Sequence, residues 1–166
     1  MTPSITHITP HVIPHVIPPA DMRTLSGIGV LIVLYVFFSE HVLGHAPCPL
    51  CWQQRYLWFA IIPLAYLGFV YKVLCLRLIV VGLLATSFAI ATYHSGIEYG
   101  LWQGPDTCSG IPSSSSLEQL RQQLYAQPIV RCDEVTWTFL GLSMATYNAL
   151  LSLCAAIGIT LNTVRS

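Results

Sequence analysis

Residues 48–71 read CPLCWQQRYLWFAIIPLAYLGFVY. The stretch opens on Cys48-Pro-Leu-Cys51, reaches Arg55 one helical turn later, and then runs uncharged from Tyr56 to Tyr71 before stopping at Lys72. A Cys-x-x-Cys at the mouth of an apolar segment can hold zinc, staple a loop or carry electrons. The apolar segment behind it decides the fold, because it has companions. Thr24–Ser39 is uncharged and extends to Leu43 if Glu40 sits at an interface. Leu78–Tyr93 reaches towards Ile97, and Val135–Val164 has no charged side chain at all. A helix needs about 20 mostly apolar residues to cross a bilayer, and each segment meets that once its flanks are included.

The composition agrees. Of 166 residues, 54% are hydrophobic and 8% charged, with a mean hydropathy of +0.65. Soluble domains carry about 25% charged residues, so too little polar surface is present to cover four such segments. The net charge of zero gives no reason to expect nucleic acid as a partner. The expectation is an all-α membrane protein, a four-transmembrane-helix bundle, with spans near 24–43, 54–72, 77–97 and 135–162 in a membrane domain of residues 23–166.

Four spans put both termini on one side. The turn 72–77 holds Lys72 and Arg77, while Arg23 and Arg165 flank the outer ends. The positive-inside rule then makes the termini and that turn cytoplasmic, against Arg55, Arg121 and Arg131 on the other side. Of six cysteines, Cys48, Cys51, Cys108 and Cys132 fall at the extracytoplasmic connections, where disulfides persist. Cys75 and Cys154 fall in the cytoplasmic turn and mid-span, and read as small apolar thiols.

Residues 1–22 are of another kind, a Pro-bounded repeat carrying His7, His11 and His15. Prolines at this density prevent a helix, and the basic start and apolar core of a cleavable signal are missing. The expectation is a disordered Pro/His-rich cytoplasmic tail, with metal binding by its histidines an open alternative and Met22 a second candidate start. In the second extracytoplasmic loop, Ser115 and Glu118 fit a capping box. Leu117, Leu120, Leu124 and Tyr125 then share one face, which predicts a short amphipathic helix lying on the bilayer surface.

Zinc at Cys48 and Cys51 would need two more ligands. Cys108 and Cys132 are 24 residues apart and form no second Cys-x-x-Cys. Zinc and inert structural disulfides stay open on the residues alone, but redox exchange is favoured. Cys51 sits at the entry of the second span, where a helix N-terminus carries partial positive charge. Arg55 can reach the same face, and both effects favour the reactive thiolate.

Three stretches, in order, carry a resemblance: Cys48-Pro-Leu-Cys51-Trp-Gln-Gln-Arg55, then Tyr93-His94 through Glu98 to Cys108, then Arg131-Cys132 through Trp137, Phe139 and Met144 to Asn148. With the four-span layout, the chain from about Met22 onward is similar to the bacterial disulfide bond formation protein B (DsbB) family. Tyr56-Leu57 departs from the aromatic-proline pair that often follows the family's arginine. The resemblance implies an enzyme of the bacterial inner membrane that reoxidises a periplasmic thioredoxin-fold oxidase of the DsbA type and reduces a membrane quinone, ubiquinone or menaquinone, with no metal. It implies that Cys108–Cys132 meets the partner, with Cys108 attacked, and that Cys132 exchanges with Cys48. Cys51 would face the quinone, Arg55 would hold it, and His94 aligns with a position near it. Glu98 and Trp137 read as structural. Two rivals are a membrane scaffold with two stapling disulfides and a reductase of the vitamin K epoxide reductase type. The latter relatives usually carry Cys-x-x-Cys late in the chain.

Overall fold

The computed structural model describes residues 21–105, 108, 130–135 and 137–165. The expected tail up to residue 20 and the expected amphipathic helix near residues 117–125 lie outside the described residues.

Four long helices account for most of the described chain: α1 (Met22–His41), α2 (Pro49–Tyr71), α3 (Leu74–Glu98) and α4 (Met144–Arg165). Helices α1, α3 and α4 are each long and apolar enough to cross a membrane. Helix α2 is 23 residues long but carries Gln53, Gln54 and Arg55 in its first two turns. Leu31, Leu34, Leu78, Leu150 and Leu161 are exposed on the outside of the bundle. A continuous apolar outer surface of this kind suits lipid rather than water.

Local chemistry sets the helix ends. Helix α2 starts at Pro49, ahead of the span expected from residue 54, because proline is preorganised for a first helical position whose N–H needs no partner. Cys48 is its N-cap, and the sulfur accepts from the backbone N–H of Cys51 at 3.1 Å. At its far end Lys72 turns left-handed, with φ 52°, and α3 begins two residues later. A connection that short forces α2 and α3 to be antiparallel neighbours.

The uncharged run from Val135 is not one helix. Thr138–Phe139 (β1) pairs antiparallel with Leu142–Ser143 (β2), and α4 starts only at Met144. Leu140 and Gly141, both with positive φ (50° and 79°), make the two-residue turn, and such mirror-image turns match the twist of a hairpin. Hydropathy alone does not separate an apolar hairpin from the start of an apolar helix.

Helix α1 packs on α2, α2 on α3 and α3 on α4, whereas α1 and α4 barely touch. The bundle is therefore an open arc. Its apolar core contains Leu25, Trp58, Ile61, Ala65, Val80, Leu84 and Ile159. A second, smaller cluster forms where α2 begins and α3 ends: Cys48, Leu50, Ile97, Cys108 and Cys132. Close by, the Trp102 indole lies on Gly96 and donates to the Tyr93 carbonyl at 2.9 Å. A Cβ at Gly96 would fall 1.9 Å from that ring, so glycine is required there.

Candidate redox site

Cys48, Cys51, Cys108 and Cys132 meet in this second cluster. Cys108 and Cys132 are joined by a disulfide, with Cα atoms 5.0 Å apart. Cys48 and Cys51 are unbonded, with sulfurs 2.6 Å apart. Cys48 is buried, while Cys51 is half-buried. The side-chain ligand atoms of Cys48, His94 and Cys132 lie within 4.8 Å of one another. Cys132 spends its sulfur on the disulfide, and its closeness to Cys48 brings the two cysteine pairs into contact.

The Cys48–Cys51 pair is polarised. The hydrogen bond shared with Cys51 lowers the Cys48 pKa to about 5. Burial opposes that shift, and His94, 3.5 Å away, reinforces it. Cys51 is pushed up, first because its proton is held by Cys48 and then by burial. The expectation from the sequence put the thiolate on Cys51. Cys48 as N-cap and Cys51 in the first turn both sit at the positive end of the α2 dipole.

Arg55 lies a turn beyond Cys51 and pairs with Glu40 at the end of α1. Its guanidinium stacks over Trp52 at 5.0 Å and Phe37 at 5.6 Å. Among the described residues no hydrogen bond joins the Arg55 guanidinium to the Cys51 sulfur. Both instead line one cavity of about 380 Å³, walled by α1, α2 and α4 at the seam where α1 and α4 fail to close, with His94 at its edge. Val33, Phe59 and Leu151 give it an apolar body.

Residues 22–161 match the family Disulfide bond formation protein DsbB. The chain is 33% identical over 143 residues to disulfide bond formation protein B 2 of Pseudomonas aeruginosa, covering 78% of this chain and 81% of that one. It is 31% identical over 148 residues to disulfide bond formation protein B of Marinobacter nauticus, covering 79% and 82%. An uncharacterized protein of Rickettsia prowazekii is 32% identical over 136 residues, covering 78% of each. The chain belongs to the DsbB family.

DsbB membership makes this a helical membrane protein of disulfide bond formation, and the named relatives imply disulfide oxidoreductase activity. Around the cysteines it carries polar groups that spacing did not reveal. Gln54 meets His94 Nδ1 at 2.9 Å, Asn148 donates to Gln54 at 2.6 Å, and the Trp58 indole donates to Asn148 at 2.8 Å. Glu98 accepts from Ser143 of β2 and lies 3.9 Å from His94 Nε2. Trp137 packs among Tyr35, Phe139 and Tyr147. Cys75 and Cys154 are exposed free thiols away from the cluster. The available signal for the network was polarity itself: uncharged polar side chains inside apolar segments mark helix–helix hydrogen bonds. Glu40 gave the same kind of signal at the end of its span.

Proposed function

We propose that this DsbB-family chain is a thiol:quinone oxidoreductase of the bacterial inner membrane that reoxidises a periplasmic DsbA-like thioredoxin-fold oxidase. The observation that carries the reading is the contact between pairs: the Cys48 and Cys132 sulfurs are neighbours, while Cys51 opens onto an apolar cavity. A thiolate of the reduced partner attacks Cys108, and the Cys108–Cys132 bond breaks with its electron pair going to Cys132. The partner's second thiolate resolves the mixed disulfide and leaves oxidised. Cys132 attacks Cys48 of the oxidised Cys48–Cys51 pair, and Cys51 departs as thiolate. Cys108 then attacks Cys132, restoring their disulfide and releasing Cys48. Two electrons now rest on Cys48 and Cys51. Direction along such a relay is set by the reduction potentials of the pairs.

A quinone supplies a two-electron, two-proton acceptor that dissolves in the bilayer. The cavity fits such a group, being apolar in body, reached from the membrane side between α1 and α4, and carrying Cys51 and Arg55 on one wall. Arg55 and His94 are the residues that would hold it. A guanidinium has five N–H donors, so Arg55 can keep Glu40 and still bind a carbonyl oxygen. In the proposed orientation the termini and the 72–77 turn are cytoplasmic and the cysteine cluster periplasmic.

The test is quinone reduction by a reduced thioredoxin-fold oxidase and the purified full chain. Turnover is expected, abolished in Cys51→Ser and Cys108→Ser, with a raised quinone KM in Arg55→Ala. Full activity in Cys51→Ser sinks the mechanism, and an unchanged KM in Arg55→Ala sinks only the role given to the arginine.

A further inference from the structure

One hydrogen-bond chain through the bundle has a direction that is fixed by its first member. The Trp58 indole N–H can only donate. It lies 2.8 Å from Asn148 Oδ1, so that oxygen faces Trp58. The Asn148 amide nitrogen therefore faces the other way, donating to Gln54 Oε1 at 2.6 Å and towards Ser87 at 3.5 Å. Gln54 has only its own amide nitrogen left for His94 Nδ1, 2.9 Å away. An amide nitrogen does not accept, so Nδ1 is bare and a neutral ring carries its proton on Nε2. Nε2 is the atom 3.5 Å from the Cys48 sulfur.

We infer that Trp58, Asn148 and Gln54 are positioning residues that hold His94 as its Nε2–H tautomer, so that the ring presents a hydrogen-bond donor to Cys48 when that sulfur becomes negative. The inference rests on the exchange proposed above. When Cys108 attacks Cys132, the Cys132–Cys48 bond breaks and its electron pair stays on Cys48. The opposite tautomer would aim a lone pair at that thiolate. His94, Gln54, Ser87 and Ser152 are all buried, so no bulk water competes, and in such surroundings both the bond and its loss weigh more than at a surface. The side chains facing Nε2 agree with a proton there: the Cys48 sulfur at 3.5 Å and the Glu98 carboxylate at 3.9 Å.

The relay is tested on the full-length protein in its reduced state. Nitrogen NMR of histidine-labelled protein reads the tautomer, with His94 assigned by the signal lost in His94→Gln. Ultraviolet thiolate absorbance against pH reads the Cys48 midpoint. The wild type is expected to show Nε2–H, and a bare Nε2 overturns the inference outright. Asn148→Asp preserves shape but removes the amide donor. Gln54 must then turn its nitrogen to residue 148 and its oxygen to His94. The expected result is the Nδ1–H tautomer and a midpoint raised by about one pH unit, the size of one lost hydrogen bond to a charged group. Trp58→Phe removes the donor that sets the direction, and is expected to mix the tautomers and raise the midpoint by less. If Asn148→Asp does not fold, Trp58→Phe decides alone. A wild-type tautomer and midpoint in the variants that fold overturn the relay. Neither readout involves quinone, so failed quinone reduction with the expected tautomer would count against the proposed function and leave the relay standing.

Discussion

The two ends of α2 do different work. At its start, Cys48 caps the helix, and Gln54 and Arg55 face His94, Asn148 and Glu40 on three other helices. Towards its end, Ile61 and Ala65 are fully buried among Leu25, Val80, Leu84 and Ile159, and the helix closes on a two-residue turn. The first end is held by directional polar bonds that tolerate no missing partner. The second is held by packing that tolerates no missing volume. Chemistry gathers where groups can be oriented one by one, and stability where they cannot titrate at all. This separation makes activity and stability independently breakable.

The largest effect is expected at the chemical end. Cys132→Ser removes the outer-pair sulfur that lies within 4.8 Å of both Cys48 and His94. Quinone reduction driven by a protein dithiol should vanish, while the Cys48–Cys51 pair remains reactive towards a small dithiol. Persisting protein-driven turnover would mean the pairs do not communicate by this route. At the packing end, Ile61→Ala opens a cavity at a fully buried position. It should lower stability by about 2–5 kcal/mol, read as a lower thermal midpoint in detergent, with activity per folded molecule unchanged. If Ile61→Ala instead stops turnover without moving the midpoint, the two ends are not separate.

The pH profile sharpens the chemical end. Cys48 is depressed to about 5, so its thiolate is present at neutral pH and is lost only as pH falls through that value. Alkylation of the reduced protein at Cys48 should stay level from neutral pH down to about 5, then fall about tenfold for each further unit. A thiol titrating in the ordinary range near 8–9 would already be slow at neutral pH. That outcome would place the charge elsewhere in the pair.

What the sequence disclosed follows the same division. Spacing and hydropathy are local, so the helical bundle and the meeting of Cys48 with Cys51 could be read directly. The hairpin at 138–143 was hidden because its strands are as uncharged as the helix that follows. The Arg55–Glu40 pair and the His94–Gln54–Asn148 chain join residues from 15 to 94 positions apart. Only the packing of α1, α3 and α4 around α2 brings them together. Cys51 was expected at the helix entry and lies in the first turn of α2, and the Pro49 start adds Cys48 to the same end as its N-cap.

The smallest effect is expected at the end of α2 away from Cys48 and Cys51. Lys72 adopts φ 52°, ψ 31° at the end of α2, a left-handed conformation that a side chain resists by about 1–2 kcal/mol and glycine does not. Lys72→Gly relieves that strain but also widens the unfolded ensemble, which offsets about 0.4–1 kcal/mol. The balance is a gain of roughly half a kcal/mol, seen as a slightly higher thermal midpoint. Arg77 keeps a positive charge in the turn, so membrane orientation should hold and turnover should not change. A loss of stability in Lys72→Gly would show that the lysine side chain contributes something there beyond its backbone angle. A loss of turnover with stability intact would mean that the two ends of α2 are coupled, and the division drawn between them would fail at its quietest point.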